Sequence, residues 1–435
     1  MATTESDGGA TGPRGLAAAL FTYENALVAI LGVTFGVVFM DRLAVNYLAP
    51  FIVRDLKLTA TQVGLTASAL SITWALVNIA SGRLSDVMGR RKPLLIAAVV
   101  VFSCCSFVSG LATSFGVLIA ARLFMGLAEG PVPPMVMALM AQASSRHRIG
   151  LNTGLIINGC LSLFAAVLGP VLLIGVAQSL GWRAAFWIAG APGLVMALII
   201  ARFVREAPGS AAPAAKRDAH AAAAPREGFV RIIARRNLIL CTLVACFTLA
   251  TLMINSAFAT LYLVNARHIP PTQVSLLLSA QGLAQMASFI VAALSDRFGR
   301  KPAVVVFSLL GLAGPLGMLF FHGPLWGLGA LMVLGGLAQG VTPVLFIAIP
   351  SETVPMRQLG TVAGFIPGVG ELVGSVCGPA IAGWAADRTT LAAPFLITTG
   401  CLLAAALLGL ALKETLGARP VDPFELAAAE PEPAA

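Results

Sequence analysis

Charge is scarce in this 435-residue chain: Asp, Glu, Lys and Arg together make up 11% of it, against roughly a quarter of an ordinary soluble domain. With 58% hydrophobic residues and a mean hydropathy of +0.90, lipid rather than water is the main solvent. Histidine is nearly missing, and His147, His220, His268 and His322 fall in loops or at the ends of apolar runs, so no histidine proton relay is expected. The seven cysteines form no CxxC and have no histidine at metal spacing, which excludes a sequence-evident metal site and leaves them as small lipid-buried hydrophobes. No phosphate loop or nucleophile elbow occurs, so an ATP-driven pump or an enzyme has no support and no cofactor is expected. The net charge of +9 lacks the basic face beside stacking aromatics that a nucleic-acid partner requires. The opening MATTESDGGATGPRG lacks the basic-then-apolar layout of a cleaved signal.

What is present is a series of apolar runs, each near 20 residues, long enough to cross ~30 Å of hydrocarbon as a helix. Twelve lie between residues 27 and 412. Backbone amides in lipid need internal partners, and these continuous runs lack the alternation of barrel strands, so the expected fold is all-α with twelve transmembrane helices. Most of the 28 basic residues fall in the segments on the amino-terminal side; cytoplasmic loops retain Lys and Arg, so both termini are placed in the cytoplasm. The Ala/Pro/charge-rich stretch EAPGSAAPAAKRDAHAAAAPREG reads as a flexible linker. The expected organisation is a disordered tail over 1–25, a six-helix bundle over 26–205, a cytoplasmic linker over 206–236, a second six-helix bundle over 237–413, and a tail over 414–435.

The halves repeat. Gly82, Leu84, Asp86, Gly89, Arg90 and Arg91 return 210 residues on as Ala292, Leu294, Asp296, Gly299, Arg300 and Lys301. Gly126, Gly130 and Pro133 return as Gly336, Gly340 and Pro343, and Gly150 and Gly154 as Gly360 and Gly364, at the same offset. Gly169–Pro170 recurs as Gly378–Pro379. One offset for several patterns implies a duplicated, pseudo-symmetric chain.

The GxLxDxxGRRxP loop between spans 2 and 3, its echo between spans 8 and 9, and the six-linker-six layout resemble the major facilitator superfamily over about residues 25–413. The resemblance implies alternating access, with two bundles rocking about a site near the bilayer midplane, and a loop motif that latches the cytoplasmic side: Gly82, Asp86, Gly89, Arg90 and Arg91, with Asp296, Gly299 and Arg300. Read from the residues alone, the glycines permit a tight turn, Asp86 sits where a carboxylate caps a neighbouring helix, and the basic residues hold the headgroup layer. A mere positive-inside anchor is the plainer alternative.

Charges inside spans cost several kcal/mol and persist when paired or functional. There are five: Asp41, Arg42, Arg122, Glu129 and Glu371. Glu129 follows Arg122 by two helical turns and shares its face. Asp41 and Arg42 diverge by about 100°, so one faces a cavity and the other a neighbouring helix. Arg42 shares a stripe with Phe35, Phe39 and Asn46, and Asp41 is a natural partner for Arg122; a purely structural salt bridge is the alternative. Glu371, in a Gly-rich run, either contacts substrate or a second proton, or makes a packing hydrogen bond. Asn158, Asn255, Gln281, Gln285 and Gln339 are further polar candidates, balanced against interhelical glue.

Asp41–Arg42 in FMDRLAVNYLAP, Arg122 and Glu129 in RLFMGLAEGPVPP, the RHR loop and the GWR–FW stretch at 181–187 resemble the anion:cation symporter branch of that superfamily. The resemblance implies Arg42 as the clamp for a substrate carboxylate, Asp41 and Glu129 as proton-coupling acids, and Arg122 as the group that holds Asp41 charged. Guanidinium, always protonated and able to bind carboxylate bidentately, suits the first role. The expected substrate site is Arg42, Asn46, Phe39, Trp74, Glu371 and Gln281; with Phe35 and Tyr47 nearby, an aromatic acid is favoured over a sugar acid. The expected activity is import of a small organic anion with protons, driven by the proton gradient, by a monomer in a bacterial inner membrane. The alternatives are proton-antiport efflux, weakened by Ala165 where a span-5 glycine is expected, and a non-transporting sensor, which would need a larger soluble extension.

Overall fold

The computed structural model describes residues 22–88, 91–145, 148–205 and 229–417, with the backbone alone for 79–88, 229–230, 289 and 356–357. Gly89 and Arg90, the side chain of Asp86, and most of the segments assigned to the linker and the tails lie outside the described residues. Among the described residues, eleven helices are long and apolar enough to span, and a bent pair makes a twelfth. They are α1 (Tyr23–Leu56), α2 (Ala60–Met88), α3 (Lys92–Gly110), α4 (Phe115–Ala143), α5 (Ile149–Leu180) and α6 (Trp182–Phe203). After a short helix over Phe229–Ile233 come α7 (Arg236–Asn265), α8 (Pro271–Met286 and Ile290–Phe298, bent by 42°), α9 (Arg300–Phe320), α10 (Leu325–Thr353), α11 (Gln358–Arg388) and α12 (Ala393–Leu410). The chain is thus an all-α, multi-pass membrane protein.

Helices run beyond their apolar stretches because the ends reach polar partners. The α1 helix starts at Thr22, whose hydroxyl accepts from Asn25 N–H at 3.3 Å, and continues past the apolar run to Arg54 and Asp55 before Lys57 turns it off at φ 51°. Between α5 and α6, Gly181 takes φ 86°, where a side chain would be strained. Asp55 then accepts from Trp182 Nε1 at 3.1 Å and Arg183 Nη1 at 2.6 Å, tying the GWR stretch to the far end of α1.

The duplication is visible in the helix irregularities. The α4 helix breaks between Glu129 and Val132, and α10 tightens into a 3₁₀ turn over Leu337–Gly340. Wide π turns occur in α5 over Leu155–Cys160 and Ser162–Leu168, and in α11 over Glu371–Ser375. Such turns concentrate where a helix must present an unusual side chain.

Among the described residues, the apolar packing between the two halves lies towards one face. Both the start of α1 and the end of α12 lie on what is here termed the terminal face; the 57–59 and 389–392 turns lie on the opposite one. Towards the opposite face a single apolar cluster draws on both halves, including Tyr47, Leu48, Phe258 and Tyr262. Towards the terminal face each half keeps its own cluster, around Phe102 and Met135 in the first and Val344 and Ile366 in the second. Lipid supplies no hydrophobic drive between helices, so closure rests on small residues and hydrogen bonds. Gly64 packs on the Pro379 carbonyl, Gly383 on that of Ala60, and Gly282 on that of Ala166. Asp387 accepts from the backbone N–H of Ala60 and Thr61 at 2.7 and 2.8 Å, capping α2 from α11. By contrast Gly150, Gly154, Gly360, Gly364 and Gly368, on the terminal-face stretches of α5 and α11, face open space.

Candidate functional site

A cavity of about 260 Å³ lies between the halves. Arg42 reaches it from α1, with Phe39 and Tyr47; Trp74 comes from α2, Asn255 and Ser256 from α7, Gln281 and Gln285 from α8, and Glu371 from α11. The guanidinium carbon sits 4.6 Å from the Trp74 ring centre and 5.6 Å from that of Phe39, a cation held between π faces. Trp74 is itself positioned by α4: a side chain at Gly126 or Gly130 would run into α2 at Leu70, Thr73 and Trp74. Arg42 Nη2 donates to Glu371 Oε1 at 3.1 Å, an ion pair spanning the two halves, and Ser375 donates to Glu371 Oε2 at 2.9 Å. The pair is 6% and 12% exposed, so it is shielded from bulk water.

Phe39, Arg42, Trp74, Gln281 and Glu371 therefore line one space. Asn46 does not: its amide donates to Ser256 at 2.8 Å, where α1 and α7 close against each other one turn beyond Arg42. Phe35 is buried behind the wall against Phe39, with ring centres 4.8 Å apart. Asn158 is exposed and off the wall.

Asp41 points away from the cavity, as adjacent helical positions require. The expected Asp41–Arg122 ion pair is not formed. Instead Ser106 on α3 lies 2.6 Å from Asp41 Oδ1 and 2.8 Å from the Phe186 carbonyl. Arg122, fully buried, donates to Met125 Sδ at 3.2 Å and stacks over Phe186 at 5.2 Å. Its Nε and Nη2, with Asp41 Oδ2 and Glu129 Oε1, have no hydrogen-bond partner. Arg122 is intercepted by Phe186 and Met125, and Asp41 by the nearer serine. The four charges still form one electrostatic cluster, since Glu129 feels Arg42, Asp41 and Arg122, and Asp41 feels Arg122.

On the terminal face, the second-half motif forms a compact network. Arg300 Nη1 pairs with Asp296 at 2.5 Å and Nη2 with Glu352 at 2.8 Å. Gly299 takes φ 107°, and Glu414 caps α9 by accepting from Arg300 N–H at 2.8 Å and Lys301 N–H at 3.1 Å. In this half it is therefore Glu414, in the segment expected to be a plain tail, that caps the helix, while the motif aspartate pairs with arginine. Burial pushes the Glu414 carboxyl up, but backbone N–H groups, including those of Leu416, Arg300 and Lys301, outweigh it and hold it below its usual value.

Sequence reasoning passed over Ser106, Ser256, Ser375, Glu352 and Glu414. Ser106 had a signal, for Ser103, Ser106 and Ser109 share one face of α3. The others had none beyond being polar near a span.

Two pseudo-repeated helical halves, a central cavity between them and closure on a single face define a membrane transporter of the two-bundle class rather than an enzyme. The Major Facilitator Superfamily family model matches residues 31–257 and 240–434, and the chain belongs to that superfamily. A hexuronate transporter of Bacillus subtilis is 28% identical over 89% of this chain and 94% of its own length. A 3-(3-hydroxy-phenyl)propionate transporter of Escherichia coli is 27% identical over 83% of this chain and 87% of its own. Among solved structures, a bacterial homolog of the human lysosomal transporter Spinster, inward-facing and unoccupied, superposes with a TM-score of 0.74 at 18% identity, covering 90% of this chain and 97% of that one.

Proposed function

We propose that the chain imports a small organic anion together with protons by alternating access, with Arg42 as the carboxylate clamp. The observation that carries this reading is the placement of Arg42 on the wall of the central cavity, between two aromatic faces and opposite a carboxylate of the other half. A guanidinium that already holds one carboxylate in a shielded site has the geometry to hold another. Relatives that carry hexuronate and 3-(3-hydroxy-phenyl)propionate support an organic acid as the cargo, and the Phe39, Tyr47 and Trp74 wall favours an aromatic acid over a sugar acid.

Asp41 and Glu129 are the proton-coupling acids in this reading, and Ser106 gives it a physical basis. One hydroxyl hydrogen cannot serve both the Asp41 carboxylate and the Phe186 carbonyl. Both contacts are satisfied when Asp41 carries a proton, donates it to Ser106 and Ser106 donates to Phe186. With Asp41 ionised, Arg122 becomes its counter-charge. The shared cluster on one face and the separate clusters on the other support rocking of two units, residues 26–205 and 237–413. The open-facing glycines of α5 and α11 are the surfaces that pack when the terminal face closes, where Arg300, Asp296 and their first-half counterparts latch. The lysine and arginine bias supports a cytoplasmic terminal face, and in this reading the protein sits in a bacterial inner membrane with its closed face external. The chain works as a lipid-embedded monomer with the proton gradient as its drive and no cofactor.

The test is uptake in proteoliposomes with an imposed pH gradient. Arg42→Lys abolishes uptake, because an ammonium cannot make the planar fork. Glu129→Gln loses proton-driven accumulation while keeping substrate exchange. Undiminished accumulation in Glu129→Gln refutes the coupling role, and accumulation driven by outward rather than inward substrate movement would mark an exporter.

A further inference from the structure

A second, smaller cavity of about 30 Å³ opens from the central one into the second half. Asn255, Gln281 and Gln285 line both, so the two spaces are continuous. Its inner wall carries Thr248, Thr251 and Gln339, with Thr398 from α12. Thr251 and Gln339 stand 210 residues after Asp41 and Glu129. Where the first half places ionisable acids, the second places a hydroxyl and an amide at the equivalent depth. Thr251 is nine-tenths buried, and its hydroxyl has no hydrogen-bond partner. Thr248 and Thr398 spend their protons on the carbonyls of Val244 and Phe395 at 2.8 and 2.9 Å, leaving acceptor lone pairs. Gly311, Gly314, Gly335 and Gly336 also line it, where they let neighbouring helices approach closely.

We infer that this side pocket is a subsite for neutral hydrogen-bonding groups at the far end of the substrate, so that the cargo is a hydroxylated monocarboxylate. The inference rests on Arg42 as the carboxylate clamp. Among the described residues of both cavity walls, Arg42 is the one cation and Glu371 the one anion. A second carboxylate would therefore enter a space without a counter-charge, which a buried site penalises heavily. A hydroxyl or carbonyl finds a donor in Thr251 and both donors and acceptors in the amides. At about 10–15 Å³ for each water-sized group, the pocket takes about two such substituents. An unsubstituted apolar tail leaves the Thr251 hydroxyl and the glutamines unpaired, and a site built to hydrogen-bond its ligand rejects an analogue that lacks the partner.

The experiment is equilibrium binding to the purified full-length protein with matched pairs: benzoate against 3-hydroxybenzoate and hexanoate against gluconate, with isophthalate as the dianion. In whichever pair binds tighter, the hydroxylated member is expected to bind about 2- to 10-fold better, the net worth of one satisfied hydrogen bond. Isophthalate is expected to bind more weakly than 3-hydroxybenzoate. Thr251→Val and Gln339→Leu each bring the ratio within the pair towards one. A ratio near one in the wild type, tighter binding of isophthalate, or a ratio unmoved by both variants overturns the inference and leaves the clamp standing. Benzoate or gluconate binding retained in Arg42→Lys strikes the clamp itself, and with it both readings.

Discussion

The Arg42–Glu371 pair makes Glu371 an internal competitor for the substrate carboxylate, and Glu371→Gln tests this directly. Glutamine keeps the shape and a neutral hydrogen bond, and its oxygen still accepts from Ser375. What it loses is charge assistance in a single contact of 3.1 Å between groups 6% and 12% exposed. Hydrogen bonds to charged groups contribute about 1.5–3 kcal/mol and neutral ones about 1, a difference of about 0.5–2 kcal/mol that the unliganded protein no longer holds against binding. Substrate affinity should therefore rise by about 2- to 30-fold. The assay is calorimetric titration of the purified variant and wild type, at one pH, with a carboxylate that the wild type binds. Arg42→Lys serves as the control that removes the clamp. A dissociation constant in Glu371→Gln equal to or weaker than wild type refutes the competition and assigns Glu371 to direct substrate contact.

Two further outcomes follow from the packing. Gly64→Val places a side chain against the Pro379 carbonyl; overpacking of about 1–3 kcal/mol shifts the population about 5- to 150-fold away from closure on the opposite face. A cysteine introduced at Leu43, on the cavity wall, is then labelled faster by an impermeant maleimide from that face, and unchanged labelling refutes the assignment of the closed face. Glu414→Gln destabilises the protein in a pH-dependent manner. The Glu414 carboxyl sits below its usual 4.5 when folded, so its contribution is present above the unfolded value and lost as pH falls through the folded one. Melting temperatures of variant and wild type should differ at pH 7 and converge below about pH 4; a constant gap points to lost packing instead.

Membrane solvation makes much of this protein readable in one dimension. Each span must be apolar over a fixed length, so hydropathy determined the number of helices and the all-α class, while Gly, Pro and Asp motifs returning at one offset of 210 residues showed the internal repeat. A buried charge in lipid is costly enough to stand out, which is why Arg42, Glu371, Asp41, Arg122 and Glu129 were conspicuous before any fold was known. Helical angle also separated Asp41 from Arg42, since neighbours diverge by about 100°. Partners were another matter. Which groups meet depends on helix-to-helix distance and rotation, set by glycine contacts such as Gly126 and Gly130 on α2 that no linear pattern encodes. Asp41 went to Ser106 rather than Arg122, Asn46 to Ser256 rather than the cavity, and Arg42 to Glu371, 329 residues away. The sequence by itself determined the spans, the repeat and the shortlist of charges, because lipid imposes those one residue at a time. Only the tertiary structure decided the pairings, the single closed face and the polar side pocket, because these arise from how rigid helices pack across the two halves.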